Sequence, residues 1–451
     1  MNVFPHKILL ILKTIALKAH TFAGIFLLIS FFISSCASQK QSLKKIDKEL
    51  GSETFQQSFM GLVVYDLDTK KYIYQYNEEK YFTPASNVKL LTFYAALKEL
   101  KDSIPGIRYF TTKDSLIFWG TGDPSFLNSE IGNSKVFDFL KNNSRELYLA
   151  DNITTPEIFG PGWAWDDYND SYATERSTYP IYGNLVEFTY SEDSIPSIIP
   201  TYFQPNLKMD NSLIPSIKRE LESNTFKFRL QDNSETKKLA IPFKTSSALT
   251  ALLLSDTLKR PVKVIPYSKK YSVKNSDVIY SVAADSLYKR MLHESDNFIA
   301  EQLLLLISEK ISDTLNSNIA IDHIQKTYFK DLPDKINWVD GSGLSRYNLI
   351  TPRTLITILE KISKEIPQEK VFALLPSGGK TGNLKNWYIN EETYVFAKTG
   401  SLRNNHNLSG FLKTRSGKVL IFSFMNNNYV IPSSEIKKSM EKILLEFYNS
   451  Y

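Results

Sequence analysis

Two apolar runs near the start of the chain set its first pattern. Gly61-Leu62-Val63-Val64-Tyr65-Asp66-Leu67 and Lys71-Tyr72-Ile73-Tyr74-Gln75-Tyr76 are rich in β-branched and aromatic side chains, and Asp68-Thr69-Lys70 between them is a turn signal. They predict a β-hairpin. The period then changes: from Asn87 to Leu100, apolar or aromatic residues stand at Val88, Leu90, Leu91, Phe93, Tyr94, Ala95, Ala96 and Leu97. These positions surround a helix instead of striping one face, so the helix is expected to be buried. Further on, Leu287 to Leu292 and Phe298 to Ile307 predict a helix pair, and Tyr394 to Ala397 an edge-type strand.

The stretch from about 109 to about 275 differs in character, being strand-like and rich in Asn, Asp, Ser and Pro. It predicts one or two mostly β inserted modules, with a smaller one around 204–270. The expected organisation is a leader over 1–35, a polar tether over 36–48, a principal domain split into 49–108 and 276–451, and the insertion over 109–275.

Composition supports this reading. A chain of 451 residues that is 42% hydrophobic and 13% aromatic has ample material for a large core and more than one domain. The formal net charge is +6, and Lys7, Lys13 and Lys18 of the leader supply three of those charges, leaving +3 without it. With no Arg-rich run and no basic stripe interleaved with aromatics, nothing points to nucleic acid as a partner.

The leader has the order of a secretory signal: three basic residues, the apolar run Phe22 to Ile33, then Ser34 and Ser35 before Cys36. The run is short of the roughly 20 apolar residues of a membrane span. Ile33-Ser34-Ser35-Cys36 resembles a bacterial lipobox, in which the Cys becomes the lipidated first residue, and Cys36 is the only Cys in the chain. The expectation is a lipid-anchored protein on the periplasmic side of the cell envelope. With its one thiol so used, the chain has no intrachain disulfide and no thiolate cluster, and its five His show no metal-ligand spacing. No metal or cofactor is expected.

Three short motifs carry candidate chemistry. Ser86-Asn87-Val88-Lys89 puts a hydroxyl at a helix start and an amine one turn on, where burial lowers the amine pKa and makes it a base. Taken alone, it reads first as a capping Ser followed by a snorkelling Lys. Ser295-Asp296-Asn297 falls on the connection between the two predicted helices, where Asp296 or Asn297 also suits a cap. Lys398-Thr399-Gly400-Ser401 ends the predicted strand with a cation, a hydroxyl and a glycine that admits a ligand.

Together and in this order, the motifs resemble the three-part set of the penicillin-binding proteins and serine β-lactamases. Gly120-Thr121-Gly122-Asp123-Pro124-Ser125, Gly162-Trp163-Ala164-Trp165-Asp166-Asp167, Gly183-Asn184 and Asp340-Gly341-Ser342-Gly343-Leu344-Ser345 extend the likeness to the D-alanyl-D-alanine carboxypeptidase/endopeptidase subgroup. That resemblance implies an α/β (α+β) transpeptidase-like domain, an antiparallel sheet flanked by helices. It also implies a long insertion between the first two motifs, and Ser86 and Ser295 are 209 residues apart.

By the same resemblance, Ser86 attacks the penultimate D-Ala carbonyl of a peptidoglycan stem peptide, with Lys89 as proton acceptor. Ser295 relays the proton to the leaving amine, Asn297 holds the substrate amide, and Lys398 with Thr399 and Gly400 binds the terminal carboxylate. The N–H groups of Ser86 and Ser401 hold the oxyanion, and a β-lactam acylates Ser86. A second Lys-Thr-Gly, at Lys380-Thr381-Gly382, follows a Gly-rich loop, so the strand copy at Lys398 is the expected partner of the cleft. The rival expectations are a β-lactamase of the same fold, whose Glu-x-x-Leu-Asn segment is missing here, and a non-catalytic wall-binding scaffold.

Overall fold

Leu62 to Tyr65 form a continuous apolar run, and the reason is that both faces of their strand are covered. In the computed structural model, which describes residues 39–451 apart from 133, 152–155, 191–194, 214–215, 231–235 and 269–272, strand Phe59–Asp66 lies inside a five-stranded antiparallel sheet. The order is Val395–Leu402, Asn405–Lys413, Val419–Asn427, Phe59–Asp66, Lys71–Tyr76. The expected hairpin is the last pair. The edge strand Val395–Leu402 continues through the Lys-Thr-Gly motif, which therefore lies within the strand instead of ending it.

Alternation sorts the strand residues between two cores. Val63, Tyr65, Phe411, Ile421 and Met425 face helices Lys89–Glu99, Asn297–Ser312 and Pro352–Glu365. Leu62, Val64, Leu408, Leu412, Phe422 and Phe424 face the carboxy-terminal helix Ser433–Ser450. That helix buries Ile436, Met440, Ile443, Leu444 and Phe447, a 3.6-residue stripe. Residues 39–50 form a helix that takes in the described part of the tether expected over 36–48, because Leu43, Ile46 and Leu50 make a stripe that packs into the same core. Lys45 pairs with Glu446 across that contact. The leader and Cys36 lie outside the described residues.

The insertion has its own core and is less purely β than expected. One five-stranded sheet runs Val262–Ile265, Glu146–Ala150, Ser115–Gly120, Ser103–Thr111, Asp277–Ala283, with its first two pairings parallel. Parallel pairs need crossover connections, supplied here by helices Lys135–Asn142 and Ser247–Leu258. Strand Ser103–Thr111 straddles the expected boundary at 108/109, and it pairs with Asp277–Ala283, which lies just past the expected end of the insertion at 275 and so belongs to the insertion's sheet. Two three-stranded sheets lie between 185 and 242, and Leu185–Tyr190 pairs with Lys237–Pro242, so strand pairing crosses the start of the module expected at 204–270.

Candidate active site

Ser86 lies in a 3-10 turn, Ala85–Val88, and Lys89 is the first residue of the buried helix Lys89–Glu99. Two glycines let the backbone close around this turn. Gly343, at φ +82°, approaches so closely that a Cβ there would lie 1.9 Å from the Ala85 carbonyl oxygen. A Cβ on Gly400 would lie 2.3 Å from the Pro84 carbonyl oxygen.

Lys89 is wholly buried. Its Nζ donates to Ser86 Oγ at 3.0 Å, to Asn297 Oδ1 at 2.6 Å and to the Ser342 carbonyl at 2.7 Å. Burial lowers its pKa to about 8, against the opposing pull of Asp340, Glu301 and Asp296. An ammonium spends its three protons on those acceptors. A neutral amine keeps two N–H groups for Asn297 and Ser342, which leaves its lone pair for the Ser86 hydroxyl.

Ser295 occupies the turn after helix Ala284–His293, at φ +60°, and Asn297 opens helix Asn297–Ser312. Asp296 is the N-cap of that helix, accepting from the Ile299 N–H at 3.0 Å, so the capping role coexists with the motif. Lys398, wholly buried, donates from Nζ to Ser295 Oγ at 2.8 Å and to the Thr399 carbonyl at 2.8 Å. Burial and the nearby Lys89 charge push its pKa well down. Asn87 ties the two motifs together by donating to the Lys398 carbonyl at 2.6 Å. Lys380, in contrast, is exposed, and Thr381 hydrogen-bonds back to Ser377.

Ser86, Ser295, Asn297 and Ser401 converge on one cleft of about 760 Å³. Of the rest of its wall, Gly162, Ala164, Asp166 and Asp167, with Gly343 and Leu344, lie in segments that carried the resemblance, whereas Tyr172, Arg346 and Arg403 were not singled out by the sequence. Tyr172, Asp166 and Asp167 of the insertion line it, as do Arg346 and Arg403 of the principal domain. Asn297 Nδ2 donates to the Tyr172 carbonyl at 2.9 Å, so the inserted segment touches a motif residue directly.

Two buried carboxylates stand behind the cleft: Asp340, in a segment that carried the resemblance but with no role assigned to it, and Glu301, which the sequence did not single out. Asp340 accepts from the N–H groups of Gly343 and Ser345, from Asn348 Nδ2 and from Trp163 Nε1. Glu301 accepts from the Ser342 N–H at 2.8 Å and pairs with Arg176. Glu301 follows Asn297 by one helical turn, a spacing that was legible, but nothing in the pattern announced its burial.

The sequence profile of the D-Ala-D-Ala carboxypeptidase 3 (S13) family matches residues 42–447. Penicillin-sensitive carboxypeptidase A of Dictyostelium discoideum is 26% identical over 442 residues, covering 83% of this chain and 83% of that protein. D-alanyl-D-alanine carboxypeptidase DacB of Haemophilus influenzae is 24% identical, covering 84% and 88%. The crystal structure of penicillin-binding protein 4 (dacB) from Haemophilus influenzae superposes with a TM-score of 0.73 at 20% identity, covering 89% of this chain and 99% of that one. That protein has also been solved in complex with a β-lactam. With nearly the whole described chain matched, the protein belongs to the D-Ala-D-Ala carboxypeptidase 3 (S13) family, serine-type hydrolases of the penicillin-binding fold.

Proposed function

We propose that this chain hydrolyses the D-Ala-D-Ala bond of peptidoglycan stem peptides, or the cross-links made from it, through an acyl-enzyme at Ser86. The observation that carries the reading is the Lys89 amine, buried, lowered to about 8 and 3.0 Å from the Ser86 hydroxyl. Ser86 Oγ attacks the penultimate D-Ala carbonyl while its proton passes to Lys89 Nζ. The oxyanion is received by the N–H groups of Ser86 and Ser401. When the C–N bond breaks, Ser295 hands a proton to the leaving amine, and its 2.8 Å contact with Lys398 supports that path. Asn297 holds the substrate amide. Lys398 and Thr399 receive the terminal carboxylate, whose charge offsets the cost of keeping a second buried ammonium near Lys89, while Gly400 lets the strand close on the Ser86 turn. Water then hydrolyses the ester, returning Ser86 and releasing the shortened peptide.

A β-lactam carries the same carbonyl and carboxylate and is expected to acylate Ser86. Labelling with a fluorescent penicillin and mapping the adduct tests the assignment, and an adduct on any residue but Ser86 overturns it. Digestion of purified muropeptides separates terminal trimming from cross-link cleavage, and nitrocefin turnover exposes a β-lactamase.

We also propose that Cys36 is lipidated and holds the enzyme to a membrane with its cleft on the periplasmic side of the envelope. The lipobox-like Ile33-Ser34-Ser35-Cys36 supports this. An alkyne fatty acid that failed to label the wild-type chain would sink the idea.

A further inference from the structure

The inserted segment reaches the catalytic lysine through a buried chain of contacts. Arg176, which belongs to the insertion, is almost wholly buried, and its guanidinium is fully engaged. Its Nε and Nη2 donate to the carbonyls of Glu157 and Phe159, and its Nη1 donates to Ser317 Oγ at 2.9 Å and Glu301 Oε2 at 3.4 Å. Glu301, wholly buried, uses its other oxygen to accept from the Ser342 N–H at 2.8 Å. The Ser342 carbonyl is one of the acceptors that orient Lys89, at 2.7 Å.

We infer that Arg176 and Glu301 are positioning residues for Lys89, so that the insertion helps to assemble the base as well as to wall the cleft. The argument rests on the proposed role of Lys89. A neutral Lys89 amine directs its lone pair at Ser86 only while Asn297 Oδ1 and the Ser342 carbonyl hold its two N–H groups. Glu301 holds the N–H of Ser342, the peptide unit next to the one whose carbonyl faces Lys89, and Glu301 is itself held by Arg176. The electrostatics run through the same chain. Burial and Asp340 push the Glu301 pKa up while Arg176 pulls it back, which favours the carboxylate that Ser342 needs. That carboxylate, with Asp340 and Asp296, raises the Lys89 pKa, whereas burial works against it; the neighbouring Lys398 is itself pushed down by burial and by the Lys89 charge.

The test is the pH dependence of penicillin acylation, measured so that noncovalent affinity and the acylation rate constant are separated. Glu301→Gln keeps an oxygen for the Ser342 N–H but removes the charge, so the acid limb set by Lys89 moves to lower pH. Arg176→Met lowers the acylation rate constant roughly tenfold or more through misplacement of the base, with affinity unchanged, and Arg176→Lys restores part of it. An unmoved limb in Glu301→Gln overturns the inference. So does an Arg176→Met effect confined to affinity. If Arg176→Met does not fold, the Glu301→Gln limb alone decides. Lys89→Ala, run alongside, tells the two failures apart. If Lys89→Ala is crippled and the others are not, only the positioning role falls. If Lys89→Ala acylates normally, the assignment of the base falls with it.

Discussion

Gly400 lies against the backbone of Pro84, close enough that a Cβ at position 400 would come within 2.3 Å of the Pro84 carbonyl oxygen. The edge strand thus presses its backbone onto the turn that carries Ser86, and this contact sets the spacing between the first and third motifs. Gly400→Ala is expected to push strand and turn apart and cut acylation at least tenfold. Gly343→Ala meets the Ala85 carbonyl oxygen at 1.9 Å from a backbone at φ +82°, so it is expected to cost about 2–4 kcal/mol of stability as well. Thermal melting beside acylation kinetics checks both. A Gly343→Ala protein as stable as wild type would contradict the contact.

The two Lys-Thr-Gly copies make opposite predictions. Charge-assisted hydrogen bonds are worth about 1.5–3 kcal/mol, so Lys398→Ala is expected to slow acylation roughly tenfold to a hundredfold. Lys380 is exposed, and Lys380→Ala is expected to leave the rate within a fewfold of wild type. Second-order acylation constants for the two mutants, side by side, decide. A crippled Lys380→Ala would reverse the assignment.

Acylation is expected to rise with pH through an apparent pKa near 8. The sign follows from the role: Lys89 accepts a proton only as the neutral amine, and burial brings that form within reach near pH 8. Below the pKa the ammonium occupies all three acceptors and the rate falls tenfold per pH unit. A rate constant flat from pH 6 to pH 9 would rule out Lys89 as the titrating base.

Asp340 receives four hydrogen bonds at 2.7–2.9 Å in a fully buried position. Asp340→Asn replaces one accepting oxygen with an NH2 that faces donors, leaving buried N–H groups unpaired. A loss of about 2–4 kcal/mol is expected from denaturant unfolding. Slower acylation is expected too, because Gly343, which this carboxylate holds, packs on the Ser86 turn. Wild-type stability in Asp340→Asn would show that the hub is dispensable.

Local pattern was a good guide wherever a residue's setting depended on its neighbours in the chain. The hairpin at 59–76 and the buried helix from Lys89 followed from period and side-chain type, and Ser86 to Lys89 is one helical turn whatever the rest of the fold does. The same logic failed at 39–48, the described part of the expected tether. Its polar composition read as a tether, yet three apolar residues at helical spacing were enough once the carboxy-terminal helix offered a partner. The insertion misled for a related reason: parallel pairing of Glu146–Ala150 with Ser115–Gly120 and with Val262–Ile265 joins residues as far apart as Leu147 and Val262, 115 positions, and no short window records it.

What the sequence alone determined, then, was the chemical inventory: Ser86, Lys89, Ser295, Asn297 and Lys398, each in a recognisable motif with its local geometry already implied. Only the tertiary structure decided which groups stand behind them. Arg176, Glu301 and the loop that carries both Asp340 and Ser342 come from three separate segments, and their burial is a property of the packed whole. The fall of the Lys89 pKa to about 8 is likewise a tertiary quantity, because desolvation depends on every element packed around the amine. The two identical tripeptides show both levels at once, since the strand-like run before Lys398 and the Gly-rich loop before Lys380 already favoured Lys398 in the sequence. Lys380 and Lys398 carry the same side chain in the same tripeptide, and only sheet pairing and burial set one against Ser295 and leave the other in solvent.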